Sequence, residues 1–285
     1  MNQQIAKKIN NSLAQDIFQI IKDGGRHPSL AIVLAGNRED SRLYVSLKEK
    51  TARSVGIDTS LYLVNDNDSE KDLIDLINFL NQDLNIDGIL IQLPLPSRYN
   101  TDKILQTIDK NKDVDGFSRD KNKVFSSPVL MAVEASFKYL KLNLKEKKAC
   151  LFFNSAIFKN EIEKFLKARG VEVLGVPSSS FDKYSENDKA WLKLKEKIRN
   201  NDILITAMGR PEIINKDFLK NQMVVIDIGI SKVDGRVLGD VNFSDSRQYD
   251  VSISPVPGGI GPITVACLLK NVLQAYNLKN KNKDE

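Results

Sequence analysis

The sequence predicts an α/β protein built from two domains. Its 285 residues exceed the roughly 100–200 residues of a typical single domain. Short apolar runs that suit buried strands alternate with segments whose apolar residues recur every three or four positions, as in amphipathic helices. This alternation is typical of a parallel sheet with helices on both faces. It occurs twice, once on each side of the lysine-rich stretch KLNLKEKK, so we expect two such sheets.

The first series opens with an amphipathic helix and continues with alternating strands and helices. Its helices are predicted over 5–21, from a cap at Asp40 or Ser41 to Val55, and after a cap at Ser69. Its strands are predicted over 30–36, 59–64 and 87–95.

The second series contains four further apolar runs, which predict strands over 149–154, 171–176, 203–208 and 223–229. Helices are predicted over 159–169, 186–200 and 264–276. Between the two series, 129–147 reads as a helix that runs into a lysine-rich turn, and the domain boundary is placed there. We therefore expect a first domain over 1–141, a second over 142–261, and a C-terminal helix within 262–285 that packs back on the first domain. The tail 278–285 is predicted to be frayed.

Composition excludes several classes of protein. Hydrophobic residues make up 41% and charged residues 28%, which is enough apolar surface for a folded core. No apolar run approaches the ~18 residues of a membrane span, and the N-terminus lacks an apolar signal-peptide core. We therefore expect a cytoplasmic protein with no membrane partner. The net charge of +5 is mixed in sign along the chain, which suits anionic small molecules and indicates no nucleic-acid groove.

Few residues are available for metal or histidine chemistry. The chain has one histidine, His27, and two cysteines, Cys150 and Cys267, each within an apolar run. Neither a metal site nor a disulfide framework is expected. Proton transfer must then depend on Lys, Tyr, Asp or Glu.

Tyr44 and Lys48 are the first candidates for such chemistry. They are four residues apart in YVSLK, so both project from one face of the second helix. A phenol beside an ammonium can hold a proton-transfer site at neutral pH if burial or a nearby positive charge lowers the pKa of the lysine. The same spacing is also common on a solvated helix face, and this alternative stays open.

Gln92 is a polar residue inside the otherwise apolar strand DGILIQLPLP. A buried amide needs hydrogen-bond partners. The carboxyl end of a parallel strand is where α/β sheets place their ligands. A ligand-facing role for Gln92 is therefore favoured, with a purely structural role as the alternative.

Two motifs that contain glycine add further candidates. DVDGF (113–117) gives two carboxylates at alternate positions before a glycine turn, either as a functional pair or as a solvated Asx turn. PVPGGIGPIT (255–264) contains three glycines, which suit a backbone that turns sharply or approaches a ligand. Pro262 suits the first turn of a helix, whose N-terminus can donate to an anion. A structural loop remains the alternative there.

The order of these motifs along the chain resembles one family. The series consists of YxxxK, DGILIQLPLP, DVDGF, TAMGRP (206–211), VIDIGI (225–230), GDVNF (239–243) and PVPGGIGPIT. From about residue 5 to residue 276, the chain resembles the bifunctional methylenetetrahydrofolate dehydrogenase/methenyltetrahydrofolate cyclohydrolase. The resemblance implies an N-terminal catalytic domain, a Rossmann-like dinucleotide-binding domain, a cleft between them, and a homodimer joined through the second domain.

The resemblance also implies residue roles. Lys48 corresponds to the central general acid/base, Tyr44 to a residue that lines the pterin and assists the lysine, and Gln92 to the amide that orients it. Asp115 corresponds to the pterin anchor, because one carboxylate can accept from adjacent ring N–H and amino donors. Substrate contacts are expected at Tyr44, Leu93, Pro94, Asp115, Gly258, Gly259 and Pro262, and dinucleotide contacts at Asn154, Ser155, Lys159, Gly209, Ile230 and Gly261.

The implied chemistry needs tetrahydrofolate as the one-carbon carrier and a nicotinamide dinucleotide as the hydride acceptor. Hydride leaves the methylene bridge of 5,10-methylene-tetrahydrofolate. Water then adds to the methenyl cation, and one C–N bond breaks to give 10-formyl-tetrahydrofolate. A cationic substrate lowers the pKa of the lysine. NADP is favoured over NAD, because no acid that would select NAD stands near the end of VEVLGVPSSS (171–180).

One segment departs from the family pattern. Where the family has G-x-S-x-x-V-G-x-P, this chain has FNSAIFKNE (153–161), so Phe153 and Lys159 replace the two glycines and Ser155 remains. Glycine there lets the backbone approach the phosphates and lets the helix pack close to the strand. Either Lys159 supplies a replacement charge and cofactor binding is altered, or the site is closed to dinucleotides.

Four functions are therefore compared. The full bifunctional enzyme is favoured by the set Tyr44, Lys48, Gln92 and Asp115. A cyclohydrolase that has lost the dehydrogenase is the alternative suggested by the 153–161 segment. A non-catalytic folate-binding or partner module is a third. A short-chain dehydrogenase also uses a Tyr-x-x-x-Lys pair, but there the glycine loop precedes the pair.

Overall fold

A computed structural model describes residues 2–119, 123–185 and 187–281 of the chain. The chain divides into two compact units. The terminal unit comprises Gln4–Ala132 and the described chain from Ile263 onward, and the central unit comprises Val133–Pro262 together with the residues up to Gln3. Both units have parallel sheets covered by helices, so the predicted α/β class is confirmed. The domain boundaries at 141 and 262 stay a prediction.

The N-terminal part of the chain alternates strands and helices. Its helices are α1 (Asn2–Lys22), α2 (Glu39–Val55), α3 (Glu70–Gln82), α4 (Thr101–Thr107) and α5 (Pro128–Tyr139). Its strands are β1 (Ser29–Ala35), β2 (Asp58–Val64) and β3 (Gly88–Ile91). Among the described residues these three strands form one parallel sheet of order β2-β1-β3. The central position of β1 explains why LAIVLA is apolar on both faces.

Local chemistry explains how these elements begin and end. The Ser69 hydroxyl and the Asp72 side chain form a reciprocal capping box at the start of α3, as predicted for Ser69. Helix α2 begins at Glu39, so the predicted cap at Asp40 or Ser41 is wrong. Arg38 occupies the cap position and makes no side-chain cap bond. Strand β3 ends at Ile91 rather than at residue 95, because the prolines of QLPLP cannot donate to a sheet ladder.

The central unit follows the same alternation. Its strands are β4 (Lys148–Phe153), β5 (Glu172–Pro177), β6 (Ile203–Ala207), β7 (Val224–Asp227), β8 (Ser231–Val233), β9 (Arg236–Leu238) and β10 (Ser252–Ile253). Its helices are α6 (Ala156–Lys167), α7 (Ser180–Lys183), α8 (Lys189–Arg199) and α9 (Phe243–Ser246), with a 3₁₀ turn at Lys216–Phe218. The last helix of the described chain is α10 (Ile260–Lys281).

Within the described residues, the main sheet of the central unit is parallel with order β10-β7-β6-β4-β5, and β8 and β9 form a separate antiparallel hairpin. The chain passes from β4 outward to β5 and then returns across β4 to form β6. The carboxyl ends of β4 and β6 therefore flank a topological switch point, where sheets of this kind bind ligands. The elements β8, β9, β10, α7 and α9 were not predicted, because segments of two to four residues carry no measurable periodicity.

Two predictions near helix ends need correction. Helix α8 begins at Lys189 after an Asp188 cap; the predicted start at residue 186 lies outside the described chain. The tail was predicted to fray from residue 278, yet α10 continues to Lys281. Within this last turn, Lys279 donates to the Leu84 carbonyl. Residues 282–285 of that predicted tail lie outside the described residues.

Apolar side chains cover both faces of the terminal sheet. One layer packs α1, α2 and α10 against it, and includes Leu13, Ile17, Ala52, Val55, Leu268, Leu269 and Val272. The other layer packs α3 and α4 against the opposite face through Leu73, Ile77, Leu80, Ile104 and Leu105. Helix α10 is thus part of the core of this unit.

Candidate functional site

The predicted catalytic lysine and amide are in direct contact in the terminal unit. The Lys48 Nζ donates to the Gln92 Oε1 at 2.9 Å. Gln92 is 7% exposed and directly follows β3. Its Nε2 donates to the Leu93 carbonyl at 2.7 Å, which fixes the amide so that the oxygen faces the lysine. Gln92 is therefore an acceptor built to hold Lys48, and Tyr44 lies one helical turn before that lysine on α2.

Burial changes the proton affinity of Lys48. Loss of hydration lowers the pKa of this ammonium below its ordinary value, and the nearby Asp115 carboxylate partly opposes that shift by favouring the charged form. The neutral Gln92 oxygen accepts from the amine without adding a full negative charge. Lys48 is thereby brought closer to the range in which an amine can both release and accept a proton near neutral pH.

The two aspartates of DVDGF have different roles. Asp113 is buried and accepts from the Ser118 amide at 2.6 Å and from the Gly116 amide at 3.1 Å. These two bonds build the turn, and burial raises the pKa of Asp113. Gly116 has φ +70°, and a methyl group there would overlap the backbone of residues 125–127. Asp113 therefore forms an Asx turn, but a buried one and not the solvated turn of the alternative. The half-buried Asp115 is the carboxylate whose charge acts on Lys48.

Asn271 supports this turn and was missed by the sequence analysis. Its Nδ2 donates to the Val114 carbonyl at 2.8 Å and to the Ser126 carbonyl at 2.9 Å. The side chain is 1% exposed in the middle of α10. An asparagine on the apolar side of the run TVACLLKNVLQAY, three residues after Leu268 and four before Ala275, was the signal that could have identified it.

Leu93 and Pro94 complete the predicted substrate-facing segment. Leu93 is half-buried against the core layer under α3 and α4, and Pro94 is exposed. The peptide bond between them is cis. Both follow Gln92 immediately, so they lie beyond the carboxyl end of β3, and their contact with substrate stays a prediction.

In the central unit, Asn154 lies at the switch point. Its Nδ2 donates to the Met208 carbonyl at 2.9 Å, which joins the turn after β4 to the turn after β6. Ser155 caps α6 by accepting from the Phe158 amide at 3.4 Å. Gly209 has φ +68° and open space where a side chain would be. Three of the predicted dinucleotide contacts therefore stand along one edge of the sheet.

Two side chains of the glycine-free segment 153–161 lie beside a glycine of the neighbouring strand β5. A methyl group at Gly175, in the neighbouring strand β5, would lie 3.5 Å from Lys159 Cε and 3.5 Å from Phe153 Cε1. Both replacement side chains therefore turn toward the space that Gly175 leaves. The Lys159 ammonium forms an ion pair with Glu163, one turn further along α6. Hydrogen bonds from Lys159 and Lys167 lower the pKa of that glutamate.

Two buried carboxyls organise the turns after β6 and β7. Asp240 accepts from the Thr206 hydroxyl at 2.6 Å, the Met208 amide at 2.7 Å and the Arg210 amide at 2.8 Å. Asp227 accepts from the amides of Gly229, Asp240 and Val241. Burial raises the pKa of Asp227 to about 7, and the Asp240 charge acts in the same direction. The motifs VIDIGI and GDVNF therefore interlock to build this edge of the sheet.

The PGGIGP loop precedes α10. Gly258 has φ +94°, and a methyl group at Gly259 would overlap the Pro255 carbonyl, so both positions need glycine. Pro262 stands in the first turn of α10, as predicted. A methyl group at Gly261 would lie 4.0 Å from Ile230 Cδ1, so these two predicted dinucleotide contacts are neighbours.

The donors at the edge of the central sheet suit a dinucleotide phosphate. They comprise the N-terminus of α6 and the open backbone at Gly209, both on the carboxyl side of the strands. The residues present therefore fit a nicotinamide dinucleotide despite the missing loop glycines. Among the described residues, no group of three or more His, Cys, Asp or Glu side chains could hold a metal ion, and no helix is long and apolar enough to span a bilayer.

Comparison with known families matches both units. Residues 1–115 match the catalytic domain of tetrahydrofolate dehydrogenase/cyclohydrolase, and residues 130–280 match its NAD(P)-binding domain. A bifunctional FolD protein of Sulfurihydrogenibium is 35% identical over 281 residues, covering 96% of this chain and 96% of that protein.

Solved structures give the same result. The FolD methylenetetrahydrofolate dehydrogenase/cyclohydrolase of Campylobacter jejuni superposes with a TM-score of 0.85 at 31% identity, covering 97% of each chain. The corresponding enzyme of Trypanosoma brucei, solved with NADP and an inhibitor, has a TM-score of 0.86 at 27% identity, covering 97% of this chain and 96% of that one.

These matches favour the bifunctional enzyme over the cyclohydrolase-only and non-catalytic alternatives, since both domains are matched. The chain belongs to the tetrahydrofolate dehydrogenase/cyclohydrolase family, and is an enzyme of one-carbon folate metabolism whose catalytic domain precedes its NAD(P)-binding domain.

Proposed function

We propose that this chain oxidises 5,10-methylene-tetrahydrofolate to the methenyl form and hydrolyses the latter to 10-formyl-tetrahydrofolate, with Lys48 as the central acid/base of the terminal unit. The observation that carries this proposal is the 2.9 Å hydrogen bond from Lys48 to Gln92, beside the Asp115 charge. A desolvated amine with a fixed neutral acceptor suits repeated proton transfer.

Each residue has a defined task in the proposed hydrolysis. Lys48 removes a proton from the water that adds to the methenyl carbon, and then donates a proton to the ring nitrogen as the C–N bond breaks. Gln92 holds the amine in one direction through its oxygen. Asp115 accepts from the pterin amino and ring N–H groups. Tyr44 projects from the same face of α2 as Lys48 and lines the pterin. The cationic substrate lowers the pKa of Lys48 further, because like charges disfavour the protonated amine.

The dehydrogenase step requires a dinucleotide in the central unit. When bound, this group accepts the hydride from the methylene carbon. Asn154 and Ser155 hold the turn after β4, and the turn at Gly209 leaves open backbone at the facing edge. Gly258, Gly259 and Pro262 are proposed to shape the folate side of the PGGIGP loop, with Gly261 and Ile230 on the dinucleotide side. Lys159 is proposed to act through charge near the phosphates, and NADP is the favoured cofactor.

We further propose a cytoplasmic homodimer joined through the central unit. Strand β5 supports this proposal, because it is an edge strand of the sheet in the described chain, and an exposed strand edge is a natural pairing surface. Light scattering of the purified chain tests this proposal: a monomer at micromolar concentration would refute it.

The decisive test compares two lysines of one helix. Lys48→Met should abolish conversion of methenyl- to 10-formyl-tetrahydrofolate. Lys50→Met, at an exposed position two residues further along α2, should leave the rate unchanged. Methenyl absorbance and reduced nicotinamide are followed together, first with NADP and then with NAD. A normal hydrolysis rate in folded Lys48→Met would refute the role of the lysine.

A further inference from the structure

The Arg210 side chain reaches from the carboxyl end of β6 to the carboxyl end of β5, which is two strands away in the sheet. It follows β6, yet its Nη1 donates to the carbonyl of Ser178, the residue after β5, at 3.1 Å. Strand β4 lies between β6 and β5 in the sheet. The side chain therefore crosses the carboxyl end of β4, along the edge at which a dinucleotide binds in sheets of this topology.

Three contacts fix the direction of this side chain. The buried Asp240 carboxylate accepts from the Arg210 amide at 2.8 Å, which anchors the backbone. The Phe181 ring lies under the guanidinium, with 5.8 Å between Cζ and the ring centroid. The Ser178 carbonyl fixes the far end. The Arg210 side chain is still 33% exposed, so part of the guanidinium faces solvent.

The guanidinium currently holds a carboxylate in the geometry that a phosphate would adopt. Nη2 donates to the Asp182 Oδ1 at 2.8 Å and Nη1 donates to the Asp182 Oδ2 at 3.0 Å. Such two-point pairing is the way in which arginine binds carboxylates and phosphates alike. Asp182 is 66% exposed on the four-residue α7, so a stronger anion can displace it.

The position of this group identifies the anion. In dinucleotide-binding sheets, the region after the second strand of the βαβ unit meets the adenosine ribose, and an arginine there accommodates a 2′-phosphate. Strand β5 is that second strand here. The segment 153–161 contains one cation, Lys159, and Glu163 pairs with it. Arg210 is thus a cation that a direct hydrogen bond fixes at the end of β5.

We infer that Arg210 is the residue that binds the 2′-phosphate and selects NADP over NAD, and that Asp182 occupies its guanidinium until the phosphate replaces it. The hydroxyl-bearing residues Ser178, Ser179 and Ser180 border the same end of β5. This inference rests on the proposed dehydrogenase function and adds the specificity-determining residue to it.

Calorimetry on the full-length protein tests the inference with two probes that differ only in one phosphate, 2′,5′-ADP and 5′-AMP. The unmodified protein should bind 2′,5′-ADP roughly tenfold more tightly or better. Arg210→Gln should remove that preference while leaving the affinity for 5′-AMP unchanged, and Arg210→Lys should restore part of it. Asp182→Asn should retain the preference. Arg199→Gln, an exposed arginine at the end of α8, is the matched control.

Kinetics separate this inference from the function on which it rests. Arg210→Gln should raise the KM for NADP with little change in kcat, because the 2′-phosphate is remote from the hydride acceptor. An unchanged preference for 2′,5′-ADP in Arg210→Gln refutes the role of Arg210, as does equal binding of both probes by the unmodified protein. If NAD still supports turnover in either case, the dehydrogenase function stands. Absence of dinucleotide binding and of turnover refutes both.

Discussion

The pKa of Asp227 makes the stability of the central unit depend on pH. Burial raises the pKa of this carboxyl from its ordinary 3.8 to about 7. In the unfolded chain it titrates near its ordinary value. Between about pH 4 and pH 7, the folded state therefore holds a proton that the unfolded state has released. The stabilising contribution is fully present below about pH 4 and is lost as the pH rises through 7.

The magnitude follows from the size of the shift. A displacement of about 3 units at ~1.4 kcal/mol per unit corresponds to about 4 kcal/mol in the free energy of unfolding. Asp227→Asn removes this titration. The replacement also has its own cost, because an amide offers one acceptor oxygen to the three backbone amides that Asp227 now satisfies. That cost does not vary with pH, so the difference between the two proteins isolates the titration.

The assay is urea denaturation of both proteins from pH 4 to about pH 8. Trp191, the single tryptophan of the chain, is buried in the same core layer as Val225, so its fluorescence reports the central unit. The free energy of unfolding of the unmodified protein, minus that of Asp227→Asn, should fall by about 4 kcal/mol as the pH rises across this range. Asp234→Asn, at an exposed hairpin position with φ +49°, is the control. A difference that stays constant with pH would refute the assignment of the raised pKa to Asp227.

Three further outcomes are expected. Asp115→Asn should lower the pKa of Lys48, because the Asp115 charge raises it; amine labelling of Lys48 against pH would then shift to lower pH, and an unchanged profile contradicts the contact. Gly239→Ala should destabilise the central unit by about 2–4 kcal/mol, since the methyl group would overlap the Asp227 carboxyl; an unchanged urea midpoint contradicts this. Asn271→Ala should cost about 2–3 kcal/mol and weaken folate binding, because it leaves two buried carbonyls without their donor; calorimetry with normal folate affinity contradicts the positioning role.

The sequence predicted features that depend on local chemistry or on the direction of strands. Ser69 could be assigned as a cap because its partner is three residues away. Topology favoured a ligand-facing role for Gln92 at the carboxyl end of a parallel strand, whereas its contact with Lys48 was implied only by the family resemblance. The cap needs only local chemistry and the strand end only topology, but the contact itself needs the resemblance.

Contacts between distant segments could not be predicted in this way. Arg210 meets Ser178 and Asp182 across an intervening strand. Asn271 meets Val114 more than 150 positions away. Neither side chain belongs to a local pattern, and the order of strands that brings each pair together depends on the packing of the whole unit.

The space at Gly175 shows that helix α6 can pack on the sheet without the glycines that the family carries in the loop after β4. The close approach of α6 to the sheet needs free volume, and this chain supplies that volume from strand β5 rather than from the loop after β4. Because Phe153 and Lys159 both fill it, a bulky residue at 175 would exclude them together. A search that scores the loop alone would reject a site whose volume has only moved to the neighbouring strand.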